Sequence, residues 1–182
     1  MSPPVEIDVE GRLRFTFDRP AWDAVKWDEA PAYLQGLRRY DGKAVDIIAT
    51  LDRRSLRLFE IKDPRGHWSE YRNRNSVEVL AQIIADKVRD TFAGLLFGLD
   101  RHSGDQLLVH LKTLFIDRVE RVQVILWLES DWLKAPLATA LTGRIERKLD
   151  WLKPKVMVTN RALWPGMPGL IVESLQGAPW RG

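Results

Sequence analysis

The sequence predicts a single α/β domain in which a central mixed β-sheet is flanked by helices. Apolar, β-branched runs bounded by turn residues are typical of buried strands, and residues 44–51, 55–62 and 121–129 have this character. Segments with apolar residues at helical spacing lie between these runs, and the longest covers about residues 76–98. The length of 182 residues suits one domain with its own core, and no repeat or linker divides the chain.

The first predicted elements are a hairpin and a helix. Alternating apolar residues between Val5 and Phe17 predict two strands that turn at Glu10-Gly11. A helix is predicted over residues 28–40, with Asp28 as its N-cap and Pro31 in its first turn.

The central and C-terminal elements complete the layered pattern. Two strands form a hairpin over residues 44–63, and Asp52-Arg53-Arg54 is the predicted turn. A polar loop, residues 62–75, then leads to a long helix that is capped by Asn75 or Ser76 and ends near Gly98. The remaining predictions are a strand at 121–129, a basic helix at 135–152, and strands at 155–159 and 170–174.

Three charges interrupt the two central strands. If the hairpin turns at residues 52–54, Asp46 lies opposite Glu60 with both side chains on one face. Lys62 shares that face, because side chains two apart along a strand point the same way. Charges in an apolar sheet are costly unless they are paired or hold a metal, so their convergence predicts a functional site.

This pattern resembles the PD-(D/E)XK nuclease superfamily, whose active site places an Asp on one strand and Glu-x-Lys on the next. Here the motif is Asp46 followed by Glu60-Ile61-Lys62, and Val45 stands where many members have proline. The resemblance implies a restriction-endonuclease-like core over about residues 28–130, with a C-terminal extension over 131–182. It also implies Mg²⁺, or Mn²⁺ in its place, held by the two carboxylates and the Ile61 carbonyl, with Lys62 as a catalytic residue.

Structural interpretations compete with this site. Asp46 is alternatively a strand-end acid paired with an arginine, and Glu60 and Lys62 are alternatively charges on an exposed edge strand. A second Glu-x-Lys at Glu146 and Lys148 lies in a helix-like stretch, where we expect both side chains to be solvated.

The resemblance also draws attention to residues on the neighbouring helices. Glu29 is a candidate metal ligand. An equally favoured interpretation is that Glu29 is an acid at a helix N-terminus, where the helix dipole stabilises it. Gln82 and Lys87 could face a phosphate, although we favour an exposed face of an amphipathic helix for both.

The polar loop after the second motif strand is a candidate nucleic-acid surface. It combines arginines, which bind phosphate bidentately, with aromatic rings that stack on unpaired bases. The candidate contacts are Arg65, Trp68, Tyr71, Arg72 and Arg74. The alternative is a polar connection whose aromatic rings pack onto the domain.

Several classes of function lack their signatures. The absence of cysteine excludes disulfides, thiolate zinc sites and cysteine nucleophiles. The sequence has no P-loop, dinucleotide-binding glycine motif or Gly-x-Ser-x-Gly elbow, and its three histidines lack zinc-ligand spacing. No apolar stretch is long enough to span a membrane and the N-terminus lacks signal-peptide features, so we expect a cytoplasmic protein.

Together these observations predict a Mg²⁺-dependent nuclease that hydrolyses phosphodiester bonds of DNA. The alternative is a non-catalytic scaffold of the same fold that binds nucleic acid or a protein partner. The resemblance also implies a homodimer, because many members of that superfamily cut both strands of a duplex with two copies of the site about a two-fold axis. Four tryptophans provide aromatic surface for such an interface: Trp127, Trp132, Trp164 and Trp180.

Overall fold

A computed structural model of the chain describes residues 2–10, 12–52, 54–65, 67–101 and 121–175. The described strands are β1 (Val5–Val9), β2 (Leu13–Phe17), β3 (Trp22–Lys26), β4 (Ile47–Leu51), β5 (Ser55–Lys62), β6 (Arg121–Leu128), β7 (Lys155–Thr159) and β8 (Leu170–Ser174). The described helices are α1 (Pro31–Gln35), α2 (Trp68–Arg74), α3 (Val77–Arg101) and α4 (Ala135–Lys148), with 3-10 turns at Trp27–Glu29 and Leu37–Tyr40.

The fold is α/β, built around the predicted mixed sheet. Five strands are hydrogen-bonded in the order β3-β4-β5-β6-β7, antiparallel from β3 to β5 and parallel from β5 to β7. A hairpin turn can join the antiparallel pair β4 and β5, whereas β6 and β7 run parallel and need a crossover, which α4 provides. Both faces of β5 and β6 are covered, and this explains their nearly continuous apolar sequences.

The two faces of the central sheet pack against different layers. Leu56 and Leu58 of β5 point toward the helices, where they share a core with Ile84 of α3 and Leu141 of α4. Phe59 points to the other face, as the alternation of side chains along a strand requires. The even-numbered residues of β5, including Glu60 and Lys62, therefore face the helical layer.

A second, three-stranded antiparallel sheet covers the other face, in the order β1-β2-β8. The predicted hairpin forms β1 and β2, and the predicted last strand pairs with β2. Phe15 packs edge-on against Trp127 and Phe17 against Phe59, with ring centroids 5.5 Å and 5.8 Å apart. Such aromatic contacts join the two sheets through a dense apolar core.

The prediction of one continuous helix over residues 28–40 was wrong. The segment consists of a 3-10 turn, the short helix α1 and a second 3-10 turn. Pro31 restricts the preceding residue to extended backbone, and Ala30 accordingly has φ −67° and ψ 138°. Gly36 then ends α1. Asp28 makes no N-cap hydrogen bond, because α1 begins three residues later, at Pro31.

Other boundaries also differ from the predictions. The loop expected at residues 62–75 contains α2, and the basic helix expected to reach residue 152 ends at Lys148. The strand β3 was not predicted, since its sequence mixes a tryptophan, two charges and an alanine without strict alternation. The long helix agrees with its prediction, since its residues at helical spacing, including Leu80, Ile84, Val88, Thr91 and Leu95, are buried.

The tryptophans expected at a dimer interface lie in different environments. Trp127 is fully buried between the sheets, so that expectation was wrong for Trp127, and the half-buried Trp164 packs on it with centroids 5.4 Å apart. Trp132 is exposed, and Trp180 lies outside the described residues. Among the described residues, no helix is both long enough and apolar enough to cross a lipid bilayer.

Candidate active site

The structure brings Asp46 and Glu60 together at the end of the β4-β5 hairpin, where the sequence predicts them on one face. Ile47 and Phe59 are the last pair of the ladder, and the Asp46 amide also donates to the Phe59 carbonyl at 3.0 Å, so Asp46 lies just beyond the ladder beside β5. Leu51 pairs with Ser55, and the Arg54 amide donates to the Leu51 carbonyl at 3.1 Å, so the chain reverses direction between these strands. Both carboxylates point toward the helical layer, because Lys87 Nζ of α3 lies 3.8 Å from Asp46 Oδ1 and 2.7 Å from Glu60 Oε1.

The Asp46 side chain is fixed by the backbone at the end of this ladder. Its Oδ2 accepts a hydrogen bond of 2.6 Å from the amide of Ile61. The Asp46 carbonyl accepts a second bond, of 2.8 Å, from the Trp27 amide. These contacts hold a mostly buried carboxylate beside the Glu60-Ile61-Lys62 segment without using a side-chain cation.

Glu60 is fully buried and is surrounded by two lysines. Lys87 Nζ donates to its Oε1 and Oε2 at 2.7 Å and 2.9 Å, and Lys62 Nζ lies 2.9 Å from Oε1. Burial and the nearby charge of Asp46 raise the pKa of Glu60 to about 7, while the two lysines oppose that rise. Glu60 can therefore gain or lose a proton near neutral pH.

Lys62 connects the buried carboxylate to the solvent side of the site. Its side chain is 25% exposed, and its ammonium also lies 3.8 Å from Glu10 at the end of β1. Burial alone would lower the pKa of Lys62, but Glu60 and Asp46 outweigh burial and raise it above its usual value. Lys62 therefore stays protonated at neutral pH and is accessible to an anionic ligand.

Lys87 belongs to the site, and the exposed position that we favoured for it was wrong. The side chain is 18% exposed, and Nζ lies 3.8 Å from Asp46 Oδ1 in addition to its bonds with Glu60. A sequence signal for this position existed, because residue 87 is seven after Leu80 and three after Ile84, on the buried stripe of α3. Gln82 does lie on an exposed face, where it contacts Asp86 and Lys148.

The acid of the Trp27–Glu29 turn that interacts electrostatically with Asp46 is Asp28, whereas the sequence interpretation selected Glu29. Glu29 pairs with Lys26 at 2.6 Å, and its side chain is 66% exposed. Asp28 Oδ1 is buried without a hydrogen-bond partner. Burial and then the charge of Asp46 raise the pKa of Asp28, so the two carboxylates act on each other electrostatically.

The described candidates for nucleic-acid contact, Arg65, Tyr71 and Arg74, lie in different surroundings. Arg65 forms a bidentate pair with Asp63, at 2.7 Å and 2.5 Å, and Nη1 lies 3.4 Å from Ser174 Oγ of β8. Arg65 thus connects the segment after β5 to β8 of the second sheet. Tyr71 is half-buried on α2, and Arg74 is exposed at the end of that helix. The side chains of Trp68 and Arg72 lie outside the described part of the structure.

Lys148 of the second Glu-x-Lys motif contacts residues outside this cluster. Glu146 is exposed on α4, as expected. Lys148 is less solvated than expected, because it pairs with Glu78 at 2.6 Å and donates to Gln82 Oε1 at 2.9 Å. Lys148 therefore serves the contact between α3 and α4.

The cluster can attract both an anion and a cation. Its two lysines can bind a phosphate, and its carboxylates supply the oxygen donors that a hard divalent cation prefers. Within the described ranges, no three His, Asp or Glu side chains are placed to hold a metal ion together. Comparisons with protein-family models, curated proteins and solved structures find no match. The functional argument therefore depends on the residues of the cluster.

Proposed function

We propose that the protein is a Mg²⁺-dependent nuclease that hydrolyses phosphodiester bonds of DNA and has a restriction-endonuclease-like core. The observation that carries this proposal is the meeting of Asp46, Glu60, Lys62 and Lys87 at one end of the β4-β5 hairpin. Two carboxylates and two ammonium groups at one partly open site offer the charges needed to bind a phosphodiester and to stabilise the additional charge of its transition state.

The donor set fits a hard divalent cation. Asp46, Glu60 and the Ile61 carbonyl offer oxygen atoms, and the buried, unpartnered Asp28 Oδ1 supplies a further acceptor nearby. A bound Mg²⁺ or Mn²⁺ would polarise the phosphoryl oxygen and lower the pKa of a coordinated water. Asp46 and Glu60 would hold such a cation, and Asp28 would add negative charge to the same region.

The lysines have separate roles in this proposal. Lys62, the more exposed one, contacts the phosphate and stabilises the charge that develops on its oxygens during attack. Lys87 neutralises Glu60 while the site is empty and offers its ammonium to the phosphate when substrate arrives. Glu60, whose pKa is about 7, can accept a proton at its carboxylate near neutral pH.

One observation favours the non-catalytic scaffold as a second candidate. Both oxygens of Glu60 already accept hydrogen bonds from Lys87, so the cluster is charge-compensated without a metal. An ion-pair network of this kind can also persist as a purely structural feature. In that case nucleic acid or a protein partner would bind elsewhere, for example at the exposed Arg74.

A nuclease assay separates the two candidates. Labelled single-stranded and duplex DNA, with RNA in parallel, are incubated with the protein in Mg²⁺, in Mn²⁺ and in chelator. The proposal predicts cleavage that requires the divalent cation, and a rise in melting temperature in the same cations, since a ligand that binds only the folded state stabilises it. DNA binding with neither cleavage nor a thermal response would support the scaffold.

A further inference from the structure

A cleft lies beside the charged cluster, between α2, α3, α4 and the end of β6. Its volume is about 370 Å³, which lies in the range of small-ligand sites. The walls are aliphatic and aromatic, with a few polar groups at the N-terminal end of α3. The lining includes Tyr71, Asn75, Ser76, Leu128 and Trp132. No step proposed above for the charged cluster uses this cleft.

Two observations join the cleft to the cluster. Leu128, in the cleft wall, is the ladder partner of Lys62. Tyr71 experiences the charges of Lys62 and Glu60, although burial is the main cause that raises its pKa to about 12. A ligand whose phosphate contacts Lys62 can therefore place an attached group in the cleft.

Trp132 forms an exposed aromatic surface at the cleft, on a segment that is firmly held. The residue is 64% exposed. Its amide donates to Ser130 Oγ at 3.2 Å, and Asn160 Nδ2 donates to the Ser130 carbonyl at 2.8 Å. A large exposed aromatic on an ordered segment is a typical platform for a planar ligand, because little conformational entropy is lost when the ligand stacks.

We propose that this cleft binds an unpaired nucleobase of the strand whose phosphate lies at Lys62 and Lys87. The inference rests on the proposed function, and it names the substrate class as single-stranded or locally unpaired nucleic acid. Trp132 and Tyr71 provide aromatic surface for stacking, while Asn75 and Ser76 bring an amide and a hydroxyl that can hydrogen-bond a base edge. Bases within a duplex are stacked and paired, so a duplex must open before it fills the cleft.

Binding in chelator tests this inference without cleavage. Fluorescence anisotropy measures the affinity of the intact protein for a labelled single strand, for the same strand with abasic positions, and for the duplex. We expect the single strand to bind most tightly, and Trp132→Ala to weaken it by about tenfold, the effect of losing one stacked base. Trp132→Phe should retain most of the affinity because it keeps an aromatic ring.

Trp151→Ala is the matched control. Trp151 is 59% exposed, similar to Trp132, but it packs edge-on against Phe92, with centroids 6.0 Å apart, and does not line the cleft. Its loss should leave the affinity unchanged. The abasic strand should bind wild-type protein as weakly as the normal strand binds Trp132→Ala.

The outcomes separate this inference from the proposed function. Equal affinities for wild type and Trp132→Ala, for normal and abasic strands, or for single strand and duplex would overturn the nucleobase cleft even if DNA is cleaved in Mg²⁺. An absence of nucleic-acid binding would overturn it as well. Wild-type protein that binds the normal single strand more tightly than the abasic strand and the duplex in chelator, but never cleaves DNA, would support the cleft and contradict only the nuclease.

Discussion

Lys87 Nζ lies 2.7 Å and 2.9 Å from the two oxygens of Glu60, although these residues are 27 positions apart in the sequence. One ammonium of α3 thus binds a carboxylate of β5 that is completely removed from water. A buried charge is tolerated only with such a partner, and so the helix and the motif strand depend on each other.

Removal of Lys87 should destabilise the protein in a pH-dependent way. Lys87→Met leaves Glu60 with Lys62 as its remaining cationic contact among the described residues. We expect a loss of about 3 kcal/mol in the free energy of unfolding at pH 8, typical of a broken buried pair. The loss should be smaller at pH 5, where Glu60 is protonated. Urea denaturation measures both, and equal losses at the two pH values would contradict the pairing.

The metal-free protein should lose stability as the pH rises through neutrality. The folded-state pKa of Glu60 is raised from 4.5 to about 7, so the folded state binds its proton more tightly than the unfolded state does. This contribution is fully present below about pH 4.5 and is lost as the pH rises to about 7, on the order of 3 kcal/mol in total. The raised pKa of Lys62 does not alter this window, because Lys62 stays charged throughout it.

Glu60→Gln provides the control for this pH dependence. The amide keeps the size of the side chain but has no proton to exchange in this range. Denaturation in chelator between pH 5 and pH 8 should give a flatter stability profile for the variant than for wild type. Parallel profiles would show that another group causes the dependence.

Asp28 and Glu29 form a matched pair of neighbouring acids. Asp28→Asn removes a charge that is repelled by Asp46, so we expect the metal-free protein to become more stable at pH 8. The Mg²⁺ concentration that gives half of the thermal shift should rise about tenfold, as for other groups that support a metal site. Glu29→Gln should leave it unchanged, since Glu29 pairs with Lys26. If Glu29→Gln raised this Mg²⁺ concentration and Asp28→Asn did not, Glu29 would be the metal ligand, as the sequence interpretation had it.

The homodimer expected from the sequence stays a prediction. Light scattering at micromolar concentration should give twice the mass of the chain, and Trp132→Ala should keep that mass because we assign Trp132 to a nucleobase. A monomeric mass for wild type would contradict the dimer, and loss of dimers in the variant would place Trp132 at the interface.

The sequence predicts the hairpin part of the site well. The predicted turn and the two-residue alternation place Asp46 and Glu60 on one face by local rules, and both carboxylates do contact Lys87. The position of Lys62 on the same face as Glu60 follows from the same two-residue alternation.

The remaining site residues depend on tertiary packing, which local rules do not describe. Lys87 reaches Glu60 only because α3 crosses the sheet at that point, although its place on the buried stripe was visible in the spacing. Asp28 interacts with Asp46 whereas Glu29 is exposed, and a prediction based on one continuous helix missed this because a 3-10 turn precedes α1 here. The cleft combines four separate elements and has no counterpart in any single sequence motif.

The cleavage rate of Lys62→Ala relative to wild type and Lys148→Ala tests the central claim most directly. Both variants remove a lysine of a Glu-x-Lys motif, but only Lys62 contacts the buried Glu60 beside Asp46. With labelled single-stranded DNA and saturating Mn²⁺, Lys62→Ala should cleave several orders of magnitude more slowly, a loss much larger than its loss of DNA affinity, because the contact of Lys62 with the phosphate strengthens in the transition state. Lys148→Ala should cleave like wild type. Equal rates for all three proteins would contradict the assignment of this cluster as the active site.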